Sequence, residues 1–439
     1  MNHAYPQQLA AFVSEHWDRI SADQPADELP SLPLLELIIS TCYQASLLRE
    51  EQIPVTCRVM LCSPSRLPEN AGPPTGLHRL IFEDPRPFTS HELRRLSSAA
   101  SFHRSLIGVD LEGPRGPVIW GIVHSGPRWL HSLHGGRGTE PPMPAVPILN
   151  VTGPGQVEFL LGSLTIGQLS EGQVFGPSMN VFQSQWMLDQ FSDIRAERMA
   201  LHMEHKNKAT DPWSDLDPDL TRMIDQHMTK RLIAAIRAFH HGGTLIMVPP
   251  ERGQEISEPN PWLSILYTFE SGEPRARFRT LIVSVMNKLA ELGYEDTDPN
   301  NPRLVGWDDY VRSSDPEIAE LDEAIFEMSH LIAGLTTVDG AVVLTKRFEV
   351  LGFGAEIRSD LSEVFSVARA VDLEGDRFKV EQTYNVGTRH SSAYRLCHQM
   401  KDALAIVISQ DGGVRFVRWA KGHVMYWDHK ATFSFTSRF

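Results

Sequence analysis

Twice in the second half of this chain a helix-patterned segment runs into a short β-branched strand, and this pairing narrows the possible folds more than any other feature. Leu220 to His240 places Met223, Met228, Leu232, Ile236 and Phe239 on one side of a helix; Gly242-Gly243 and the strand-like run Thr244 to Val248 follow. Ser314-Asp315-Pro316-Glu317 is a helix start, with Asp315 as N-cap and Pro316 in the first helical position. It opens a helix over 317–332 that feeds the strand Ala341 to Leu344. Strands this apolar are buried. A third helix follows, with Ala393, Leu396, Cys397, Met400 and Ala403 on its apolar face. The strands 404–409 and 414–419 come next, joined through Asp411-Gly412-Gly413 as a β-hairpin.

The first half is mixed. Its pattern predicts helices near 34–48 and 90–103, a strand over 55–62, and short strands at 105–109, 118–124, 128–133 and 157–161, which together make an α+β domain. Phe182 to His205 carries apolar residues at helical spacing. Three stretches rich in Pro, Gly and Asp punctuate the chain, at 21–33, 135–147 and 207–219. At 439 residues two domains are expected, and the last stretch serves as their boundary: 1–206, a linker over 207–219, and 220–439. No repeat of fixed period is present.

Lys and Arg number 41 against 55 Asp and Glu, a formal net charge of -14 that argues against general nucleic-acid binding. Cys42, Cys57, Cys62 and Cys397 lack paired C-x-x-C spacing and read as reduced core thiols. His124, His131 and His134 lack a companion carboxylate at ligand spacing, so they read as polar or core histidines. The amino-terminal residues do not resemble a secretory signal, and the run Leu34 to Ile39 is too short to span a bilayer. The expectation is a cytoplasmic protein without membrane contact.

Two segments carry chemistry. In Asp339-Gly340-Ala341 a carboxylate stands beside a glycine at the mouth of a buried strand, a natural position for a metal ligand. Composition alone favours a plain Asp-Gly turn there. In Gly387-Thr388-Arg389-His390-Ser391 the free amides of a helix start meet a guanidinium and an imidazole, which suits phosphate. Spacing alone leaves a capped surface helix equally open.

The order of these pieces resembles a known family: a helix into Gly-Gly-Thr-Leu-Ile-Met-Val, Asp-Gly-Ala with its strand, Gly-Thr-Arg-His before a helix, then a strand–Ser-x-x-x-Gly–strand hairpin. It looks like the diadenylate cyclase domain of DisA-type cyclases, over about residues 220–430. The N-terminal half bears a fainter likeness to the probable sensor domains, called DACNV, that precede such cyclases in some bacterial proteins. The resemblance implies an α/β (α+β) protein: a C-terminal twisted mixed sheet wrapped by helices, preceded by a smaller α+β sensor-like domain. It implies a nucleotidyltransferase that condenses two ATP into cyclic di-AMP and two pyrophosphates between protomers of a face-to-face homodimer. Asp339 would bind Mg²⁺ or Mn²⁺ and help to activate the attacking hydroxyl. Gly340 and Ala341 would shape the strand mouth, and Gly387, Thr388, Arg389 and His390 would hold the triphosphate.

One departure bears on activity. The family motif usually reads Arg-His-Arg, whereas this chain has Arg389-His390-Ser391, so one guanidinium is missing. Arg395, one helical turn on, is the expected substitute beside Ser391 in the nucleotide site. The competing expectation is a catalytically silent module that binds a nucleotide or cyclic dinucleotide as a receptor.

Overall fold

The computed structural model describes every residue except 1–2, 22–28, 68–77, 103, 114–115, 125–143, 163, 171, 177–179, 240, 296–302, 385, 411–412 and 430–439. The chain forms two compact units, the first built mainly from Met1–Leu133 and Gly138–Ser178 and the second from Met179–Lys430. Both mix helices with sheet, an α+β arrangement.

In the first unit, helices α1 (Pro6–Ser21), α2 (Leu32–Ser46) and α3 (Ser90–Ser97) accompany a two-stranded ribbon, β1 (Arg49–Glu50) and β2 (Ile53–Pro54). The main strands are β3 (Cys57–Leu61), β4 (His78–Pro87), β5 (Ser105–Asp110), β6 (Val118–His124), β7 (Pro147–Gly153), β8 (Gln156–Leu161), β9 (Leu164–Ser170) and β10 (Gln173–Phe175). They form an eight-stranded sheet in the order β10-β9-β8-β7-β3-β5-β6-β4, parallel only between β3 and β5. The helices cover one face, where Leu9, Leu35, Ile38 and Leu93 pack on Cys57, Val59, Leu149 and Phe159. The helix expected to reach residue 103 ends at Ser97, and the strand expected at 128–133 lies outside the described residues.

The second unit begins with α4 (Gln185–Gln190), α5 (Ser192–Lys208) and α6 (Pro218–Ala238), then β11 (Gly243–Val248), α7 (Gly253–Ser257), β12 (Leu263–Thr268) and α8 (Glu273–Glu295). It continues through α9 (Trp307–Arg312), α10 (Pro316–Leu335), β13 (Ala341–Thr345), β14 (Val350–Ile357), β15 (Ser366–Ala370), β16 (Phe378–Gln382), α11 (Thr388–Gln399), β17 (Leu404–Ile408), β18 (Val414–Ala420) and β19 (His423–His429). The nine strands run β12-β14-β13-β11-β17-β18-β19-β15-β16, a mixed sheet with parallel pairs β11–β13 and β15–β19. Leu396 of α11 and Met400 just past its end pack on Ile246 and Val343, and Cys397 packs on Val407 and Val417. The opposite face takes Phe182 against Phe416 and Trp186 against Trp427. Asp315 caps α10 as its sequence dictates, accepting from Ile318 N at 3.0 Å.

The helical run at 182–205 is broken at Phe191, which leaves helical geometry and turns inward to stack on Phe348. The unit boundary also falls earlier than the stretch 207–219. Helices α4 and α5 belong to the second unit, where Arg198 forms a buried ion pair with Asp225. Within the stretch itself, Ser214 N donates to Ala290 O at 2.9 Å and Asp217 N to Val305 O at 2.8 Å. Its Pro and Asp residues make a packed turn, because the backbone finds partners on α8 and at Val305, which forms an isolated parallel bridge with Leu216.

Candidate functional site

Gly387 begins α11 in extended geometry without a side-chain cap, and Ser391 N donates to Gly387 O at 3.1 Å. The amides of Thr388, Arg389 and His390 therefore have no acceptor within their own helix. Gly387 and His390 form one wall of a cleft of about 320 Å³. The rest of it comes from Val367 of β15, Glu381 and Gln382 of β16, Val386, Tyr394 of α11, Arg415 of β18 and Tyr426 of β19. Its size falls near the lower end for small-molecule sites.

The base of the cleft is a charged network. Arg415 Nε donates to Asp428 Oδ1 at 2.9 Å, and Arg415 Nη1 donates to the Tyr394 hydroxyl at 2.8 Å. The same guanidinium lies 4.0 Å from the centroid of the Tyr426 ring. Arg369 joins from β15, 3.3 Å from Asp428 and 3.6 Å from Glu381, while the Tyr426 hydroxyl donates to Glu381. Burial works against the Arg415 charge, but Asp428 and Tyr394 outweigh it and hold the guanidinium above its usual pKa. Burial pushes both tyrosines up: Tyr394 against the pull of Arg415, Tyr426 with help from its hydrogen bond to Glu381. Near neutral pH the cleft thus sets the Arg415 cation between two neutral phenols, with Glu381 in the lining and Arg369 beside it.

The other motif lies at the start of β13. Asp339 is exposed in the turn after α10, and Ala341 is buried and paired with Ala355. Gly340 has φ +109°, and a Cβ there would stand 2.7 Å from the Gly354 carbonyl carbon. The glycine is demanded by the close passage of β14 as well as by its own dihedral. Arg389 reaches the turn before β11, donating from Nη1 to His241 O at 3.2 Å. Because β11 and β13 are adjacent and parallel, the His241 carbonyl that Arg389 reaches and Asp339 lie at the same end of these two strands.

The predicted residues are therefore divided. Gly387 and His390 face the cleft, Arg389 braces the β11 turn, and Asp339, Gly340 and Ala341 stand at the start of β13 beside that turn, outside the cleft lining. Thr388 is exposed and Ser391 half-buried. Arg395 points elsewhere, donating to Ser359 O at 3.5 Å and to Ser392 Oγ at 3.3 Å, so the cleft's guanidinium is Arg415. Sequence reasoning missed Arg415, Tyr394, Tyr426 and Glu381. The visible signal was alternation in Val414 to Ala420, which puts Arg415 on the same face as buried Val417.

Among the described residues no group of three His, Cys, Asp or Glu could hold a metal ion. Asp339 still fits Mg²⁺ or Mn²⁺ of the substrate-borne kind, since such ions take one or two carboxylates and complete their shell with phosphate and water. The four cysteines are buried and free. His124 Nδ1 lies 3.0 Å from Ser105 Oγ, and His131 and His134 lie outside the described residues. No helix among the described residues is long and apolar enough to cross a membrane.

Residues 24–124 match the family model described as probable sensor domain DACNV. The chain carries a probable sensor domain. The match covers α2 through β6, the heart of the first unit, and points to a sensing role for it. No curated protein and no solved structure matches the chain.

Proposed function

We propose that the chain is a sensor-linked diadenylate cyclase whose second unit joins two ATP into cyclic di-AMP. The observation that carries this reading is the reach of one motif toward the other: Gly387 and His390 line a ligand-sized cleft, while Arg389 between them extends to the turn before β11, the strand beside which Asp339-Gly340-Ala341 opens β13. The α11 amides and His390 suit phosphate oxygens, and Arg415 supplies the guanidinium that Ser391 lacks. Asp339 would hold the divalent cation, which when bound neutralises charge on the transferring phosphate. Each 3′-hydroxyl attacks the α-phosphorus of the ATP on the opposing protomer and pyrophosphate leaves, so the work of the protein is positioning and charge neutralisation.

A second reading, a receptor for a nucleotide or cyclic dinucleotide, draws on two observations. Ser391 replaces a phosphate-binding arginine, and Arg389 is engaged by the His241 carbonyl. Incubation of the full chain with ATP and Mn²⁺, followed by mass spectrometry, separates the two. Cyclic di-AMP as product supports the cyclase. Tight cyclic di-AMP binding without turnover supports the receptor, and neither product nor binding overturns both.

A further inference from the structure

The first unit holds a charge that its core does not require. On β3, Cys57, Val59 and Leu61 face the helices, so alternation sends Arg58 and Met60 to the other face. There Met60, Leu106, Trp120, Ile148 and Leu160 form a separate apolar cluster to which none of the helices α1 to α3 contributes. A polar row crosses this face. The register pairs Arg58 with Asn150, Asn150 with Glu158 and Glu158 with Gln168, across β3, β7, β8 and β9. Arg58, Asn150 and Glu158 retain only 3%, 2% and 6% of their exposure.

The hydrogen bonds of the row leave one donor of Arg58 unmade. Arg58 Nε donates to Asn150 Oδ1 at 3.2 Å, and Asn150 Nδ2 donates to Glu158 Oε2 at 3.1 Å. Asn150 thus stands between the guanidinium and the carboxylate, where a structural ion pair would join them fork to fork. Arg58 Nη1 is buried and meets no acceptor. Burial draws the Arg58 pKa down to about 10, with Glu158 opposing only in part. An unmade donor on a buried cation destabilises the fold, and such groups in native proteins call for an explanation.

We propose that Arg58, oriented by Asn150, is the recognition point of an anion site in the sensor unit, taking the carboxylate or phosphate oxygens of a small ligand. The geometry favours an oxyanion because Nη1, a charged donor without an acceptor, is satisfied best by a carboxylate or phosphate oxygen. The apolar surround of Met60, Leu106, Ile148 and Trp120 keeps the local dielectric low and strengthens that pairing. Trp120 is itself fixed, its indole N–H donating to Cys62 O at 2.8 Å. Arg58 lies inside the segment matched by the sensor model, and Asn150 and Glu158 lie beyond it. The inference uses that match for its purpose and does not depend on the cyclase reading.

Amide hydrogen exchange on the full chain tests it, comparing potassium phosphate and potassium acetate with potassium chloride at equal ionic strength. One of the two oxyanions is expected to slow exchange over 57–61 and 147–153 by about tenfold near ten times its Kd. Arg58→Met should abolish that protection, yet without added anion exchange no faster than the wild type, because it removes a buried cation with an unmade donor while keeping the side-chain bulk. Arg58→Lys, which keeps the charge and loses the fork, should show a weakened response. A wild type indifferent to both oxyanions overturns the proposal. So does a response that survives Arg58→Met, or an Arg58→Met protein that exchanges globally faster while Arg58→Lys responds as the wild type does.

Discussion

Arg415 lies between Asp428 and Tyr394 with its plane near the Tyr426 ring, so its desolvation is already compensated by the protein before any ligand arrives. A guanidinium held this way adds attraction for phosphate without a fresh ordering cost. Arg415→Met is expected to weaken ATP binding by about 10–100-fold, the range for a lost hydrogen bond to a charged group. Calorimetric titration of a variant with wild-type far-ultraviolet circular dichroism checks it, and Arg395→Ala, whose contacts are Ser359 and Ser392, should bind ATP within about threefold of wild type. Asp339 is exposed, so Asp339→Asn should leave the melting temperature unchanged while cyclic di-AMP formation falls below detection. Full turnover in that variant would remove Asp339 from the chemistry.

At the scale of elements, α6 carries an unusual load of buried polar groups. Arg231 is paired with Asp322 of α10, and the His227 ring meets Trp307 edge-on at 4.9 Å. Burial, with added repulsion from Arg231 and Lys230, holds His227 well below its usual pKa. The unfolded chain takes up that proton near the ordinary value of about 6.5, whereas the folded protein does not. Stability present above pH 6.5 is therefore lost as the pH falls toward the depressed folded value, at up to about 1.4 kcal/mol per pH unit for this one group. Urea unfolding between pH 7 and pH 5 should show this slope, and His227→Gln should flatten it; an unchanged slope would assign the acid sensitivity elsewhere. The local signal on α10 was readable, because Asp315-Pro316 places an N-cap before a proline. The break at Phe191 was not, since it answers to an aromatic partner at Phe348, far along the chain.

At the scale of the whole molecule, the boundary decides how the second unit can be isolated. A fragment beginning at Asp219 removes Arg198 from its pair with Asp225, Phe182 from Phe416 and Trp186 from Trp427. Breaking a buried ion pair alone costs about 3–5 kcal/mol. Residues 180–430 are expected to give a cooperative thermal transition, and residues 219–430 to aggregate or melt without one. A sharp transition from the shorter fragment would show that α4 and α5 are dispensable. The net charge of -14 also opposes close approach of two protomers, so the proposed pairing should weaken when divalent cations are chelated.

What the sequence determined by itself was local. The helix start at Asp315-Pro316, the apolar strand Thr244 to Val248 and the antiparallel pairing of β17 with β18 all follow from spacing and dihedral preference over a few residues. The likeness of Gly387 to His390 to a phosphate-binding helix start was legible for the same reason. Only the tertiary structure decided that Arg415, Tyr426 and Glu381 would meet across β18, β19 and β16, and that Arg58 would stand in register with Asn150 and Glu158. Arg58 is visible in the sequence as one charge inside an apolar strand, but its partners lie 92 residues or more away. Strand order and register set such meetings, and they arise from burial summed over the whole sheet, which no short window of sequence contains.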